Sequence, residues 1–318
     1  MTQAMHTATT RLRLFAGLLI LLPFTLLASS QYDQITRGKQ QITLQYDSSF
    51  TEAERRMIYR WLEKVADGLR TVYGELPQDN FRIDVERSSR QSGPVPWGEV
   101  DRDEPTTVTL QINPEYGYDG LLADWTAFHE LSHLLLPYQG YGDVWISEGL
   151  ATYYQNITQA RSGLFTETQM WQDIVDGLER GRKQITSSHT TLSEVSDSMR
   201  EHRLFMRVYW SGVLYWLSSD VELRKQGKGT LDEALKKLKD CCETHSMSAA
   251  QIAYRLDALM NTNLFLPKFR QYSQSHAMPD YKSILRELGV QKKEQNGEVI
   301  LVKNSLSDIR RQIYIKGY

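Results

Sequence analysis

The sequence predicts an α+β protein, in which a small sheet with its helices comes first and a largely helical region follows. Three segments in the first part of the chain, 41–46, 81–85 and 106–112, alternate apolar and polar residues as strands do. From Glu167 onward, apolar residues recur instead at helical spacing almost to the end. This segregation favours a mixed sheet packed on helices, followed by a helical lobe.

The first long helix is predicted from its start signal. Thr51-Glu52-Ala53-Glu54 is a capping box, and an apolar stripe from Met57 to Val72 follows it. The segment 88–105 is rich in Gly, Pro and charge, so it predicts a loop or a poorly ordered hairpin.

The second part of the chain has helical spacing in several stretches separated by turn residues. No internal repeat is visible, so we place a soft boundary near residue 160, between an α/β lobe over 31–160 and a helical lobe over 161–318. The tail could add short strands at 299–302 and 312–315. The predicted helices are 170–178, 192–199, 205–225, 231–240, 249–260 and 281–288.

Composition bounds the class of protein. The chain has 318 residues, of which 41% are hydrophobic and 24% charged, which is enough for a globular protein with a sizeable core. The formal net charge is −2 and no long basic run is present, so nothing favours a nucleic-acid partner. Oligomeric state is not predicted.

The first thirty residues have the pattern of a cleavable signal peptide. Arg11 and Arg13 precede an apolar stretch over 14–27, and small residues follow it before Gln31. That stretch is short for a bilayer span of about twenty residues. We therefore expect an exported protein, periplasmic or secreted, without a stable membrane span after cleavage. The alternative is tethering through an uncleaved signal anchor.

The chain has two cysteines, which are neighbours. A bond between Cys241 and Cys242 would close almost no chain, so it would add little by restricting the unfolded state. Two free thiols are the favoured interpretation, and a metal contact that includes His245 is the alternative.

The strongest chemical signal is His129-Glu130-Leu131-Ser132-His133, an HExxH zinc-hydrolase motif. It falls within a helix predicted over 120–136, which Asp119 can cap and Pro137 ends. Residues four apart share a helix face, so both imidazoles can bind one Zn²⁺ while Glu130 stays beside its water. The motif predicts one zinc per chain, with Glu130 as general base.

A catalytic zinc site usually takes three protein ligands, and the third is expected downstream. Glu148 follows His133 after fourteen residues, on a second helix that Asp143 can cap. Glu148 is therefore the predicted third ligand. Gly149 would let this second helix pack closely on the first.

Over residues 119–155 the chain resembles the gluzincin metallopeptidases, whose zinc is held by the two His of HExxH and a Glu on the next helix, often in a Trp-x-x-Glu-Gly pattern. Here that pattern reads Trp145-Ile146-Ser147-Glu148-Gly149. The resemblance implies a thermolysin-like catalytic lobe and hydrolysis of peptide bonds. The loop between the two zinc helices is shorter than in the well-known aminopeptidases of this clan.

Tyr209-Trp210-Ser211-Gly212 resembles the Tyr-x-x-Gly segment of aminopeptidase-type and glycyl-aminopeptidase gluzincins. The resemblance implies that Tyr209 stabilises the oxyanion of the transition state, which a phenol donor can do. The alternative is that Tyr209 is a plain core aromatic.

The amine-capture segment of the aminopeptidases, Gly-x-Met-Glu-Asn, is altered here to Trp97-Gly98-Glu99-Val100. Glu99 could serve, but endo- and exopeptidase activity are not distinguished. The strand 106–112 could be the edge on which an extended peptide is laid.

Three functions fit these residues. The leading hypothesis is an exported zinc peptidase acting on a peptide or protein substrate. A catalytically quiet protein that binds zinc and peptide is the second, although Glu130 has no purpose in a purely structural site. The third is a zinc hydrolase of a non-peptide substrate, because fold and metal do not define the substrate.

Overall fold

The computed structural model describes residues 32–90, 92–140, 142–184, 189–242 and 246–315. The predicted signal peptide and His245 lie outside these residues. The described residues form one compact unit. The boundary near residue 160 falls at the end of a helix, Trp145–Arg161, and stays a prediction. Within the described residues, no helix combines the length and apolar character that crossing a membrane requires.

A five-stranded mixed sheet forms the first layer. Its spatial order is β1-β2-β3-β5-β4, with β2, β3 and β5 parallel and the two outer strands antiparallel to their neighbours. The inward residues of the central strands are fully buried against the helices, as the alternating pattern predicts. The strands are β1 (Tyr32–Arg37), β2 (Gln40–Tyr46), β3 (Asn80–Arg87), β4 (Trp97–Asp101) and β5 (Thr107–Ile112).

The outer strands are where the sequence prediction fails. The predicted edge strand β5 lies between β3 and β4, so its backbone is paired on both sides. The edge of the sheet next to β5 is β4, which lies in the segment 88–105 that was predicted as a loop or a poorly ordered hairpin. The opposite edge is β1, which was not predicted. Both outer strands bury little surface and lack a clean apolar alternation, so they carry a weak sequence signal.

Helix α1 (Glu52–Tyr73) begins where its capping box predicts. The Thr51 hydroxyl accepts from the Glu54 backbone, and the Glu54 carboxylate accepts from the Thr51 backbone. The helix ends at Gly74, whose φ of +80° suits a residue without a side chain. Its apolar stripe packs into the core beside the sheet.

The helix predicted over 120–136 is interrupted. Helix α2 (Gly117–Ala123) ends before Asp124, and α3 (Thr126–Ser132) begins two residues later, continuing as a 3₁₀ turn over His133–Leu135. The Asp124 carboxylate accepts from the backbone N–H of Thr126 at 2.7 Å, although Trp125 is the residue directly before α3. The motif therefore lies on a separate short helix and the 3₁₀ turn that continues it, and Asp119 lies inside α2.

Helix α4 (Trp145–Arg161) follows, and Asp143 does not cap it through its backbone amides. The Asp143 carboxylate instead accepts from the Trp145 indole at 2.9 Å. Gly149 also packs differently from the prediction. A Cβ on Gly149 would lie 2.3 Å from the Cα of Gly212. This glycine therefore permits close approach of α4 to α8 (Phe205–Lys225) rather than to α3.

The rest of the described chain is mainly helical, as predicted. The helices over 205–225 and 249–260 have the predicted bounds, and the strand near 299 is present. The predicted strand over 312–315 is wrong, because residues 312–314 belong to a helix that ends just before Ile315, and the helix over 265–273 was not predicted. The elements are α5 (Glu167–Lys183), α6 (Leu192–Asp197), α7 (Met199–His202), α8, α9 (Leu231–Cys242), α10 (Ala249–Met260), α11 (Phe265–Ser273), α12 (Lys282–Glu287), β6 (Val290–Lys292), β7 (Val299–Leu301) and α13 (Ser307–Tyr314).

The expectation of two free thiols is wrong in this structure. Cys241 and Cys242 form a disulfide at the end of α9. A bond between adjacent residues is strained and restricts the unfolded chain little, but neither property decides whether the two thiols are oxidised.

Candidate metal centre

The three predicted ligands converge. The Nε2 atoms of His129 and His133 lie 3.2 Å and 3.7 Å from the same carboxylate oxygen, Oε2 of Glu148. One ligand atom from each residue falls within 4.8 Å of the others, which is close enough for all three to hold one metal ion. α3 supplies His129, the 3₁₀ turn that continues it supplies His133, and the first turn of α4 supplies the carboxylate of Glu148.

The orientation of His129 is held by a residue that the sequence analysis did not identify. Gln155, two turns after Glu148 on α4, places its Oε1 2.9 Å from Nδ1 of His129. The oxygen can only accept, so Nδ1 carries the proton and Nε2 is left free to face the metal site. Trp125 packs edge-on against the same ring.

The electrostatics of the group suit a cation. Burial would raise the pKa of Glu148, but the neighbouring His133 and His129 outweigh it and lower that pKa to about 2. Burial lowers the pKa of His133 to about 4, against the pull of Glu148. A carboxylate that stays ionised beside an imidazole that stays neutral is a donor set that zinc accepts.

Glu130 lies beside this group without belonging to it. Burial, with smaller contributions from neighbouring charges, raises the pKa of Glu130 to about 7. Its side chain packs against β4, where a Cβ on Gly98 would lie 2.7 Å from Cγ of Glu130. A side chain at position 98 would displace Glu130, which gives a reason for glycine there that the sequence did not reveal.

Tyr209 reaches the site from α8. Its ring stacks on His129 with centroids 5.7 Å apart and an interplanar angle of 15°. Burial and the nearby Glu148 carboxylate raise the pKa of the phenol, so its proton is retained. Tyr209 is half-buried and faces the cleft, which argues against its being a plain core aromatic.

The close contact of α4 with α8 explains how Tyr209 arrives. A Cβ on Gly212 would lie 2.0 Å from the carbonyl oxygen of Trp145, so the two helices touch backbone to backbone at this point. On α8, Gly212 lies about one turn after Tyr209, and on α4, Gly149 directly follows Glu148. Because these two glycines allow the helices to touch, Tyr209 and Glu148 lie close together.

These residues line an open cleft of about 460 Å³ between β4 and the helices. Glu99 lines it from β4, as the altered amine-capture segment allows. Two arginines that the sequence analysis did not identify, Arg102 and Arg200, also line it. Neither lies in a recognisable motif, so no sequence signal distinguished them from other surface arginines.

Comparison with known proteins agrees with this geometry. The model of the M61 glycyl aminopeptidase family matches residues 139–215, a span that includes Glu148 and Tyr209. No curated protein matches the chain.

Several solved structures share the fold. An aminopeptidase N family protein from Idiomarina loihiensis is 16% identical with a TM-score of 0.60, over 84% of this chain and 51% of that one. A two-domain M1 zinc metallopeptidase variant bound to L-arginine is 14% identical with a TM-score of 0.51, over 78% and 52%. An M1 zinc metallopeptidase variant from Deinococcus radiodurans, bound to a Tyr-Ser-Ala substrate, is 14% identical with a TM-score of 0.50, over 78% and 52%.

This chain therefore spans about half the length of the solved structures it matches. At such identities the likeness concerns the fold alone, which this chain shares with these zinc metallopeptidases, and it confirms the predicted α+β fold class with its helical continuation.

Proposed function

We propose that this chain, which has the gluzincin fold, is a zinc-dependent metallopeptidase that hydrolyses peptide bonds. The convergence of His129, His133 and Glu148 on one point, with Glu130 beside it, carries the proposal. A purely structural zinc site would have no use for the buried carboxyl of Glu130.

In this proposal His129, His133 and Glu148 would hold one zinc ion, which when bound would lower the pKa of a water molecule toward about 7 and polarise the carbonyl of the substrate. Glu130 takes the proton of the attacking water and returns it to the leaving amine. Burial supports this role, because a carboxyl whose pKa lies near neutrality can both accept and donate a proton. Gln155 keeps His129 in the tautomer that the metal requires.

The phenol of Tyr209 donates a hydrogen bond to the oxygen on which negative charge develops. Its burial supports this role, since a phenol that keeps its proton remains a donor. The strand on which we propose that the peptide lies is β4, because β4 is the edge strand and lines the cleft. A peptide in that position would be held by backbone hydrogen bonds while its carbonyl approaches the metal centre.

The proposed substrate is a peptide or a protein. The Deinococcus radiodurans structure with the same fold holds a peptide substrate, which supports this class. Glu99 on β4 is placed to meet a free amine, yet the surrounding segment lacks the aminopeptidase pattern, so exopeptidase and endopeptidase activity both remain to be distinguished by experiment.

The test is incubation of the purified, zinc-loaded protein with a peptide library, with cleavage sites identified by mass spectrometry. Glu130→Gln is the control, because it removes the base and keeps the shape of the side chain. We expect cleavage by the parent and none by the variant, with equal zinc content. Cuts only at chain ends would identify an exopeptidase, and internal cuts an endopeptidase.

Two results of this experiment would contradict the proposal. Equal cleavage by the Glu130→Gln variant would exclude Glu130 as the base. Zinc binding without any cleavage would favour a catalytically quiet protein or a hydrolase of a non-peptide substrate.

Export to the periplasm or the medium is also proposed, on the pattern of residues 1–30. The disulfide Cys241–Cys242 supports it, because disulfides persist mainly in oxidising compartments. N-terminal sequencing of the protein from cell fractions tests it. A mature chain that starts at Gln31 outside the cytoplasm is expected, whereas an intact N-terminus in the membrane fraction would indicate a signal anchor.

A further inference from the structure

Two arginines line the cleft without a carboxylate partner among the described residues. Arg102, which follows β4, is largely buried and donates to the backbone carbonyls of His133 and Leu136. Arg200 on α7 is exposed to the cleft, and its side chain has no hydrogen bond or ion pair within the part of the chain that the structure describes. The two cations therefore differ in what they can still bind.

The backbone beneath Arg200 is held in place. The preceding residue, Met199, is 4% exposed and anchors α7 in the core. Arg203 ends this short helix in the left-handed conformation, with φ of +55°, and the backbone N–H of Leu204 donates to the carbonyl of Met199 at 2.9 Å. Arg200 is thus a free side chain on a fixed wall of the cleft.

Arg200 and Tyr209 line the same cleft, and α7, which carries Arg200, leads directly into α8, which carries Tyr209. The edge strand β4, which carries Glu99, also lines this cleft. A peptide laid along β4 with its carbonyl at the metal centre would therefore pass within reach of Arg200.

An unpaired arginine in a cleft favours an anionic group on the ligand. The planar guanidinium can donate two parallel hydrogen bonds to a carboxylate, and such pairs are specific in geometry as well as favourable in energy. Arg102 has its hydrogen bonds directed at carbonyls and adds mainly positive potential, so Arg200 is the residue available for a bidentate pair.

We propose that Arg200 binds a carboxylate of the substrate, so that the preferred substrates are peptides with a carboxylate close to the scissile bond. This proposal rests on the proposed peptidase function. The carboxylate is either the C-terminus of a short peptide or the side chain of an acidic residue.

The test uses one peptide cleaved in the library experiment, made in three forms: with a free C-terminal carboxylate, with an amidated C-terminus, and amidated with Asp in place of a neutral residue beside the cut. For the parent we expect kcat/KM to be about tenfold or more higher for a form that carries the carboxylate than for the neutral amide. Whichever of the two anionic forms has the advantage identifies the source of the carboxylate.

The matched variants are Arg200→Gln and Arg203→Gln. Both remove one positive charge from the same short segment, but only Arg200 lines the cleft. Arg200→Gln should remove the preference for the carboxylate, with zinc content unchanged, and Arg203→Gln should keep it. The proposal is wrong if the parent has no such preference or if Arg200→Gln retains it.

A binding measurement separates this proposal from the peptidase function. Trialanine and its amide are titrated by calorimetry into the zinc-loaded Glu130→Gln protein, with and without Arg200→Gln. If the parent cleaves no peptide, the peptidase function fails, yet tighter binding of the acid that disappears with Arg200→Gln would still support the carboxylate site. Equal affinity for acid and amide would overturn it.

Discussion

At the scale of single residues, the site divides into groups that bind, groups that orient and groups that react. His129, His133 and Glu148 share one focus, and Gln155 determines which nitrogen of His129 faces it. The amide of Gln155 orients the ring without adding negative charge. A carboxylate, which often has this role beside a metal-binding histidine, orients the ring and also adds negative charge.

Removal of one imidazole should abolish metal binding. In His133→Ala the group loses one of three ligands, and the remaining pair is too weak for a stable site. We expect zinc content, measured by elemental analysis after dialysis, to fall from one per chain to near zero. Full occupancy in this variant would exclude His133 as a ligand.

Loss of the Tyr209 hydroxyl should affect turnover more than structure. Tyr209→Phe keeps the stacking on His129 but removes the donor, and loss of one oxyanion donor typically lowers kcat on the order of a hundredfold. Steady-state kinetics with parallel zinc analysis measures this. An unchanged kcat would return Tyr209 to the role of a packing aromatic.

At the scale of elements, the two glycines between α4 and α8 determine how closely the helices approach. Gly149 and Gly212 face each other, and an added Cβ on either would lie within 2.6 Å of the other's Cα. The approach is therefore possible only because neither residue has a side chain. Since α4 carries Glu148 and α8 carries Tyr209, the same contact builds part of the site.

Substitution of Gly212 tests this contact. In Gly212→Ala the new methyl group would meet the carbonyl of Trp145, so the helices must move apart, which typically costs about 1 to 3 kcal/mol. The control is Gly142→Ala, where a Cβ meets nothing within 4 Å. Denaturant unfolding should show a lower free energy of unfolding for Gly212→Ala alone, and equal values for both variants would contradict the argument.

At the scale of the whole molecule, buried charges join the helices around the site. Arg161 at the end of α4 pairs with Asp232 on α9 at 2.9 Å, and Arg224 pairs with Asp220 within α8 at 2.8 Å. The hydroxyls of Tyr153 and Tyr154 donate to the same two aspartates. Each of these four charges has a partner, so the network gives α4, α8 and α9 a definite mutual position.

Lys268 on α11 lacks such compensation and should make stability depend on pH. Burial, only partly opposed by Glu222, lowers the pKa of Lys268 to about 8, and its ammonium donates to the Ser218 hydroxyl at 3.0 Å. The unfolded chain keeps the proton up to about 10.5. Between these values the unfolded state binds more protons, so this residue makes the protein more stable as pH rises from 8 to 10.5.

Lys268→Met should therefore stabilise the protein below pH 8, where the buried charge opposes folding, on the order of 1 kcal/mol or more. The gain should shrink toward pH 10.5. Denaturant unfolding of parent and variant at pH 7 and pH 10 measures the difference. A gain that is the same at both pH values would show that charge burial is not its cause.

Local patterns in the sequence determined a large part of this protein. The capping box at Thr51, the helical spacing over 205–225 and the HExxH motif each depend on neighbours a few residues apart, so their outcome is visible without the fold. Glu148 could be identified because its motif context follows His133 closely. These features specified the candidate metal ligands, the main helices and the fold class.

Only the tertiary structure decided what depends on distant segments meeting. The edge strand is β4 rather than β5, because strand order follows from how β3, β4 and β5 pair and not from any one pattern. Gln155 and Gly98 have ordinary sequence surroundings, and they reach the site through contacts with residues 26 or more positions away. Arg200 likewise has no motif around it, and only the fold brings it into the lining of the cleft. Local spacing in the sequence therefore determined which residues could supply the chemistry of the site, and the packing of distant segments determined which residues surround it.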